Sequence, residues 1–576
     1  MKDLIRLVNR LLGGTYNVVN TNTKSRGDNV TEEIDEYYIQ KRSSQRNWTI
    51  TFVVLGMMSI VTGILTYVIN PYDVIYRYKI KFSEGGEIFE LWKDPPVDLY
   101  LRVFLWNITN SKEFISGQDE KLKVQEVGPY VYKELMSHKN ITFNNNGTLS
   151  AIPSHPLIFV PEMSEGRLEN DSLILPNIAL LSIAHVVSDE SYFTRLGLNM
   201  LIRQTDQQPL VQMSAREFMF DYTNSLMSLG NKFMPNWISF KTLGLIDRMY
   251  DFDGDFETVY TGEDDARKAG QIDMWRGSTS IPQWKNPCGN VRGASDGTKF
   301  PIYIQPEDKL FFYRKSMCRA THLIKTNETV AEGFKAYVYN FEDDWEEQNK
   351  TKCFCNDLDM CFPKGLLDVH GCYYGFPIAL SSPHYLNNDP IIRAKVEGVH
   401  PDPEKHESFF VIEPKSGTPI QLRANFQINM ALRNIKTIAH VERFSDMVMP
   451  LLWAEFRLYG LPDSLRNKLV LYLKILPVVT DGLMYGSFFG GILILVYSVC
   501  RLTQLRSKSK RRQTLWIQER PTSFSCKPSK YNSKTECANM VDAKELETYY
   551  HSVILPLNHE LEGRECSDIR RGSASA

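Results

Sequence analysis

The sequence lacks an excess of charge of either sign. Its 66 lysines and arginines stand against 68 aspartates and glutamates, which leaves a formal net charge of −2. Proteins that bind nucleic acid usually carry a clear basic excess on one face, so we expect no nucleic acid among the partners. With 576 residues and 12% aromatic side chains, the chain has ample material for a large core.

Motifs of metal-dependent and nucleophilic enzymes are also missing. The 11 histidines are scattered without an HExxH pair, and no two cysteines form a CxxC pair. Residues 293–297 read GASDG and match GxSxG, but a nucleophile elbow needs a strand before it and a helix after it. The flanking residues CGN and KFP favour a glycine-rich turn instead. We therefore predict no enzyme activity, no cofactor and no metal site.

Two long hydrophobic runs are present near the chain ends. Residues 48–69 contain no charged side chain over 22 positions, and residues 482–500 give 19 more. Each is long enough for one membrane-spanning helix. A signal peptide is disfavoured for the first run, because the run is too long and a polar segment of 47 residues precedes it.

Flanking charge predicts the orientation of the two spans. Lys41, Arg42 and Arg46 precede the first span. The second span is followed by basic residues without an acidic one among them: Arg501, Arg506, Lys508, Lys510, Arg511 and Arg512. By the positive-inside rule, residues 1–47 and 501–576 are cytoplasmic segments and residues 70–481 form an extracytoplasmic domain.

Six of the ten cysteines lie between residues 288 and 372, in the predicted extracytoplasmic domain. An even number there indicates disulfides in an oxidising compartment, with fifteen pairings open. A bond between Cys353 and Cys355 would be strained at that spacing, whereas Cys355 and Cys361 can close a small polar loop. A zinc site is the weaker alternative.

Glycosylation sequons support the same topology. We expect glycans at six extracytoplasmic positions: Asn107, Asn140, Asn146, Asn170, Asn327 and Asn349. Asn29 and Asn47 also fit the pattern, but the predicted topology places them where the transferase does not act. We interpret these two as chance matches.

The extracytoplasmic domain has strand-like and helix-like segments. Residues 74–82, 97–108 and 334–341 are rich in β-branched and aromatic residues and predict strands. Residues 177–230 carry apolar side chains at helical spacing and predict a small helical bundle.

The clearest strand is preceded by FFVIE (409–413) and the turn EPKSGTP (413–419), and together these segments predict a hairpin. Its apolar side chains alternate with polar ones and fall on one face: Ile420, Leu422, Ala424, Phe426, Ile428, Met430 and Leu432. Taken alone, this face favours an ordinary sandwich or barrel core.

The span and tail regions carry weaker signals. Gly482, Gly486 and Gly490 form a GxxxGxxxG run that allows close helix packing. Cys500 at the membrane edge is a candidate for S-palmitoylation. Tyr550–Val553 and Tyr16–Val19 fit a tyrosine-based sorting signal, which is a pattern that also occurs by chance.

Several longer motifs occur together across the predicted extracytoplasmic domain. They are VGPYVYKE (127–134), NPCGNVRGASDGTKFP (286–301), LSSPHYLNNDP (380–390), GVHPDPEKHESFF (398–410) and MPLLWAE (449–455). As a set, these segments resemble the class B scavenger receptor family, over nearly the whole extracytoplasmic part.

The resemblance implies an α+β fold. The expected ectodomain is an antiparallel β-barrel that encloses an apolar tunnel, with a helical bundle at the apex and two transmembrane helices as anchors. The family's cysteine pattern implies the pairs Cys288–Cys353, Cys318–Cys372 and Cys355–Cys361. It also implies that part of the alternating face lines the tunnel, with these candidates: Ile420, Leu422, Ala424, Phe426, Ile428 and Met430.

The implied function is a plasma-membrane receptor that binds lipids, lipoproteins or other hydrophobic ligands and mediates their uptake or transfer. The alternative within the family is an endosomal or lysosomal sorting receptor that grips a protein cargo through the helical apex. A two-pass ion channel is the alternative from another class. An endocytic adaptor and a second copy of the chain are further candidate partners.

Overall fold

The structure is a computed structural model. It describes residues 28–224, 226, 242, 244–285, 287–355, 361–373 and 375–518. The helices are α1 (Asp28–Ile69), α2 (Pro71–Ile80), α3 (Glu87–Lys93), α4 (Ser111–Ser116), α5 (Ile178–Val187), α6 (Tyr192–Gln204), α7 (Leu245–Met249), α8 (Trp345–Thr351), α9 (Pro403–His406), α10 (Asp463–Val470) and α11 (Leu476–Gln518).

The strands make the fold a mixed α+β structure. They are β1 (Leu99–Ile108), β2 (Leu122–Glu134), β3 (Ser137–Phe143), β4 (Thr148–Ser154), β5 (Leu157–Phe159), β6 (Ser172–Pro176), β7 (Leu210–Ser214), β8 (Glu257–Tyr260), β9 (Ile272–Trp275), β10 (Leu310–Arg314), β11 (Arg319–Ala331), β12 (Phe334–Phe341), β13 (Leu367–Asp368), β14 (Ile378–Ser381), β15 (Val396–Glu397), β16 (Phe409–Glu413), β17 (Thr418–Ala431) and β18 (Val448–Leu458).

The main sheet has 12 strands and is open. Its strand order is β10-β11-β12-β16-β17-β18-β1-β2-β15, with β5, β13 and β14 branching from that path. The closed barrel predicted from the family resemblance is not what the strand pairing shows. Closure requires the two edges to pair, but one edge is β10 and the other is the two-residue β15 beside β2. An edge of that length offers too few backbone groups for a closing ladder.

Predicted strands form most of the centre of the sheet, together with β18, which was not predicted as a strand. The hairpin of β16 and β17 is confirmed, and β17 runs antiparallel to β18, which in turn pairs with β1. On β1 and β18 the rings of Phe104 and Trp453 stack with centroids 3.9 Å apart. Cross-strand aromatic pairs of this kind stabilise a sheet and help to set its register.

The described part of the predicted helical segment at residues 177–230, which is residues 177–224 and 226, contains both helices and a strand. Its helices are α5, buried on most sides, and α6. Between α6 and a short π-helical turn at Glu217–Asp221, the chain forms β7, which pairs with β6. The spacing of apolar residues within 177–230 did not reveal β7, because the strand that pairs with it, β6, precedes both helices in the chain.

The segment 74–82 was predicted as a strand, but residues 74–80 belong to the helix α2. Asn70 caps α2 by accepting a hydrogen bond from the Asp73 backbone N–H, and Pro71 occupies the first turn. Tyr72, Tyr76 and Ile80 are the buried side chains of α2, spaced four residues apart. This spacing defines one helical face, and it outweighs the strand preference of the β-branched residues between them.

Among the residues that the structure describes, two helices are long and apolar enough to cross a membrane, within Ser44–Ile80 and Asp463–Lys508. They are in close contact at Gly56 and Gly491, where an added Cβ at Gly491 would lie 2.9 Å from the Gly56 carbonyl oxygen. Nearby, the Ser59 hydroxyl donates to the Ser487 carbonyl oxygen at 2.8 Å.

The GxxxGxxxG run predicted for helix packing is not at this contact. An added Cβ at Gly482, Gly486 or Gly490 would meet nothing within 4 Å. The run therefore faces away from the first span, and Gly491, one residue beyond it, makes the close approach.

Candidate functional site

A cavity of about 450 Å³ lies against the central strands of the main sheet. This volume is in the range of small-molecule sites, about 300–1,000 Å³. Most of its wall is apolar, from β1, β10, β17, β18 and α3; representative side chains are Leu91, Leu99, Phe312, Phe456 and Leu458. The wall suits a hydrophobic ligand.

The alternating face of β17 divides into two parts. Leu422, Ala424 and Phe426 border the cavity and are half-buried. The other members of the predicted tunnel face are fully packed in the core and do not border it: Ile420, Ile428 and Met430. The period-two pattern alone could not separate the two groups, because it reports only which side of the strand is apolar.

The segment that leads into the second candidate span forms one end of the cavity wall. Leu465 and Leu469 of α10 border the cavity, and so does Leu473. Leu473 lies in the π-helical turn Leu471–Ile475, which leads into α11. The Tyr472 hydroxyl donates to Glu87 Oε2 at 2.8 Å, which ties this segment to α3. The cavity thus borders the chain directly before the span.

Lys299 is a buried cation in the cavity wall. Its Nζ donates to the Ala269 carbonyl oxygen at 2.7 Å and reaches the Phe300 carbonyl oxygen at 3.4 Å. Within the described ranges no carboxylate pairs with it, and burial lowers its pKa to about 7. An ammonium without an anion in an apolar wall is a ready partner for an acidic group on a ligand.

Arg314, also in the wall, is in contrast already neutralised. Its Nη2 donates to both oxygens of the buried Glu134, at 3.0 and 3.2 Å. Burial raises the pKa of the Glu134 carboxyl, but Arg314 and His155 outweigh it and hold that pKa at about 2. Arg314 also stacks on Phe456, with its guanidinium carbon 3.9 Å from the ring centroid.

Arg319 is the third cation in the wall. Its Nη2 donates to the Asp368 carbonyl oxygen at 2.6 Å, and its guanidinium carbon lies 3.9 Å from the centroid of Phe354. Burial lowers its pKa to about 10. Its main partners are therefore a carbonyl and an aromatic ring.

Three of the five family-like motifs meet at a polar cluster beside the exposed Glu126 of β2. His384, from the LSSPHYLNNDP segment, lies 2.8 Å from Glu126 Oε2 through its Nε2, and the same oxygen accepts from Trp453 Nε1 at 2.7 Å. His384 stacks on His406 with centroids 4.1 Å apart. The motifs thus hold β2, β18 and two connecting segments together, apart from the cavity.

The six clustered cysteines form three disulfides in the structure. Cys288 joins Cys353, Cys318 joins Cys372 and Cys355 joins Cys361, with Cα–Cα distances of 5.5, 5.8 and 4.4 Å. These distances are ordinary for disulfides. The same pairs were implied by the family resemblance, and chemical mapping of the pairing is the test.

Five of the six predicted glycosylation asparagines are exposed: Asn140, Asn146, Asn170, Asn327 and Asn349. Asn107 is half-buried on β1, and its Oδ1 accepts from the Ile174 backbone N–H at 2.9 Å. Cys500 is exposed on α11. The sorting-signal candidates Tyr550 and Val553, and Tyr16 to Val19, lie outside the described residues.

Ser295 of the GASDG segment is part of a turn. Its hydroxyl donates to the Lys299 carbonyl oxygen at 2.6 Å and accepts from the Gly297 backbone N–H at 3.0 Å. The segment connects strands β9 and β10, so the strand-to-helix setting of a nucleophile elbow is absent from this described segment.

Two features of the cavity wall were missed from the sequence. Lys299 and Arg319 were not singled out, although both become buried cations there. A lysine in a turn and an arginine at the start of a strand are ordinary on a surface. Only the three-dimensional arrangement shows that they are enclosed.

The comparisons with known proteins agree with this picture. The family model described as "CD36 family" matches residues 54–502. Scavenger receptor class B member 1 from Bos taurus is 28% identical over 471 residues, which cover 81% of this chain and 91% of the relative. Lysosome membrane protein 2 from Homo sapiens is 26% identical over 457 residues, covering 78% of this chain and 94% of the relative.

An insect relative has similar coverage. Protein peste from Drosophila melanogaster is 27% identical over 460 residues, covering 78% of this chain and 80% of the relative. The chain belongs to the CD36 family, since that family's model spans well over half of it. The resemblance inferred from the motifs is confirmed.

Proposed function

We propose that the protein is a two-pass membrane receptor that binds an amphipathic lipid in its cavity and passes it toward the membrane. The observation that carries the proposal is the apolar cavity bordered by Leu422, Ala424 and Phe426 at its centre, and by Leu469 and Leu473 beside the second candidate span. Apolar surface of this kind gains free energy when it contacts acyl chains rather than water.

The cations of the wall favour an acidic headgroup. Lys299 has only carbonyl partners within the described ranges, and a ligand carboxylate would supply the missing anion. Charge-assisted hydrogen bonds are stronger in a wall of low dielectric than in water. A fatty acid combines this headgroup with an acyl chain, so we propose fatty acids as the ligand class.

In this proposal the cavity lies outside the cytosol. Both ends of the chain are cytoplasmic in this proposal, because basic residues precede the first span and follow the second. The relatives named scavenger receptor and lysosome membrane protein support a location at the plasma membrane, with endosomal or lysosomal membranes as a second site. Uptake would then use an endocytic adaptor, for which Tyr550 to Val553 is the candidate signal.

A second candidate function is the sorting of a protein cargo through the helical apex. On α6, Tyr192, Phe193 and Met200 expose 64%, 80% and 62% of their surface. Exposed apolar side chains close together favour a protein contact. The relative named lysosome membrane protein 2 supports a sorting role in lysosomal membranes.

Lipid analysis of the full-length protein tests the first proposal. The protein is purified in detergent without added lipid, and bound lipids are extracted and identified by mass spectrometry. We expect co-purified fatty acids, and faster transfer of a fluorescent fatty acid between a lipoprotein particle and vesicles that contain the receptor. Absence of both signals would refute it, and ligand-independent whole-cell currents would favour the ion-channel alternative.

A further inference from the structure

Three side chains from distant segments converge beside the cavity. His138 lies on β3, Glu257 on β8 and Asp296 in the connection between β9 and β10. One ligand-type atom of each lies within 4.8 Å of the other two. The His138 and Glu257 side chains are each 2% exposed, and Asp296, at 22%, borders the cavity.

The orientation of His138 determines which of its nitrogens faces the two acids. Its Nδ1 lies 3.0 Å from the Trp92 carbonyl oxygen, and its ring stacks on the indole with centroids 3.7 Å apart. A carbonyl only accepts hydrogen bonds, so Nδ1 must carry the hydrogen. In the neutral imidazole, Nε2 therefore presents a lone pair toward the carboxylates.

The two carboxylates present oxygens to the same point. Glu257 Oε1 is buried and lies 3.1 Å from His138 Nε2, and no other group among the described residues donates a hydrogen bond to it. Asp296 Oδ1 is occupied by the Thr298 backbone N–H and hydroxyl, at 2.9 and 2.6 Å. Its Oδ2 is left 3.8 Å from His138 Nε2.

Such an arrangement favours a positive charge at this point, because a lone pair and two carboxylate oxygens repel one another and a buried carboxylate oxygen without a partner destabilises the fold. A proton on His138 Nε2 would pair mainly with Glu257 Oε1, whereas a cation between the three atoms would also contact Asp296 Oδ2. Metal bonds of about 2.0–2.2 Å to imidazole and carboxylate hold neighbouring ligand atoms about 3–4 Å apart. The two separations from His138 Nε2 fall in that range.

We propose that His138 Nε2, Glu257 Oε1 and Asp296 Oδ2 bind a divalent transition metal of the zinc class. One imidazole and two carboxylates are ligands typical of zinc, whereas calcium prefers six to eight oxygens. The Trp92 carbonyl supplies the second hydrogen bond that orients a metal-binding histidine. Asp296 borders the cavity, so water and a metal ion would reach the site from that side.

The experiment measures metal binding by the full-length protein in detergent. Free thiols are alkylated first, because cytoplasmic cysteines also bind zinc. The protein is stripped with a chelator, titrated with Zn²⁺, desalted and analysed for retained metal. Co²⁺ in place of Zn²⁺ gives a visible absorption band when nitrogen and oxygen ligands surround it in tetrahedral geometry.

Two variants and a control make the result specific. Glu257→Gln places an amide N–H where it can donate to the His138 lone pair, so the variant can fold without a cation. Asp296→Asn removes the other charge at the edge of the cavity. His322→Gln is the matched control, since His322 is exposed and lies outside the cluster.

We expect the wild type and His322→Gln to retain one zinc equivalent that both cluster variants lose. The dissociation constant should rise at least tenfold, since even indirect changes at metal sites cost about 10- to 100-fold. Zinc should raise the melting temperature of the wild type only. Equal zinc retention in all four proteins, or a wild type without the cobalt band, would overturn the proposal and show that a proton alone joins the three groups.

Discussion

Ala424 on β17 lies directly opposite Phe456 on β18, and both border the cavity. Two pairs further along the same strands, Ala454 on β18 lies opposite Phe426 and is fully buried. The two alanines therefore differ in their surroundings. The methyl group of Ala424 borders the cavity, whereas that of Ala454 is packed in the core.

This contrast gives a matched test of the cavity. Ala424→Phe should fill the cavity and block fatty-acid binding while surface expression stays near the wild-type level. Ala454→Phe should instead destabilise the domain by about 1–3 kcal/mol or more through overpacking and be retained in the secretory pathway. Binding of a fluorescent fatty acid and surface labelling measure the two effects. Normal binding by a well-expressed Ala424→Phe protein would contradict the assigned cavity wall.

Lys299→Met should separate headgroup recognition from acyl-chain binding. We expect affinity for oleate to fall about tenfold or more, since a hydrogen bond to a charged group contributes about 1.5–3 kcal/mol. Affinity for a neutral sterol should be unchanged. The melting temperature should not fall either, because removing the Lys299 ammonium leaves no buried carboxylate without a partner.

The pH dependence gives a second readout for Lys299. The pKa of its ammonium is about 7 in the folded protein, so the cation disappears as pH rises through that value. Oleate affinity should therefore decline from pH 6.5 to pH 8.5 in the wild type and stay flat in Lys299→Met. Lys364→Met, at a lysine of the same wall that pairs with Asp343, is the control. An unchanged oleate affinity in Lys299→Met would exclude the lysine as the headgroup partner.

His406 should make the ectodomain less stable in acid. Burial and then the neighbouring His384 lower the pKa of His406 to about 4. Between about pH 6.5 and pH 4 the unfolded chain therefore binds a proton that the folded chain does not, and folding free energy is lost as pH falls through that window.

The melting temperature measured from pH 7.5 to pH 4.5 tests this effect. His406→Gln keeps an acceptor for the Asp402 backbone N–H and should show a smaller decline. A residual slope is expected, because burial and then Arg433 also lower the pKa of His185 to about 4. Equal slopes for wild type and His406→Gln would show that His406 does not carry the acid sensitivity.

The disulfides should contribute unequally to stability. The bonds Cys288–Cys353 and Cys318–Cys372 span 65 and 54 residues, and Cys355–Cys361 spans 6. Chain entropy predicts about 4 kcal/mol for each long loop and about 2 kcal/mol for the short one. Paired Cys→Ser variants and thermal unfolding give the order. Peptide mapping without reduction that joins Cys353 to Cys355 would contradict the pairing.

Glycan occupancy tests the topology. The exposed sequons, such as Asn140 and Asn327, should carry glycans, and substituting each by Gln should increase gel mobility. Asn107 should be occupied least, because its side chain is half-buried and already accepts a hydrogen bond. Asn29→Gln and Asn47→Gln should leave mobility unchanged. A mobility shift from either of these two would mean that the N-terminal segment is not cytoplasmic.

Much of the fold could be predicted from short-range pattern. The two apolar runs, the strand on β1, the strand on β12 and the hairpin of β16 and β17 each follow from periodicity within one segment. The helix α2 could also have been found, because Asn70, Pro71 and the four-residue spacing of Tyr72 and Tyr76 are local signals. The β-branched residues of the same segment concealed them.

The sequence by itself determined the family, the apolar spans and the face of β17 that points inward, because motifs and periods are properties of contiguous residues. Only the tertiary structure decided that Leu422 borders a cavity while Ile428 packs in the core, since that depends on what covers the strand. It also decided that the sheet is open and that His138, Glu257 and Asp296 meet. No local spacing connects residues on separate strands; the folding of the chain brings them together.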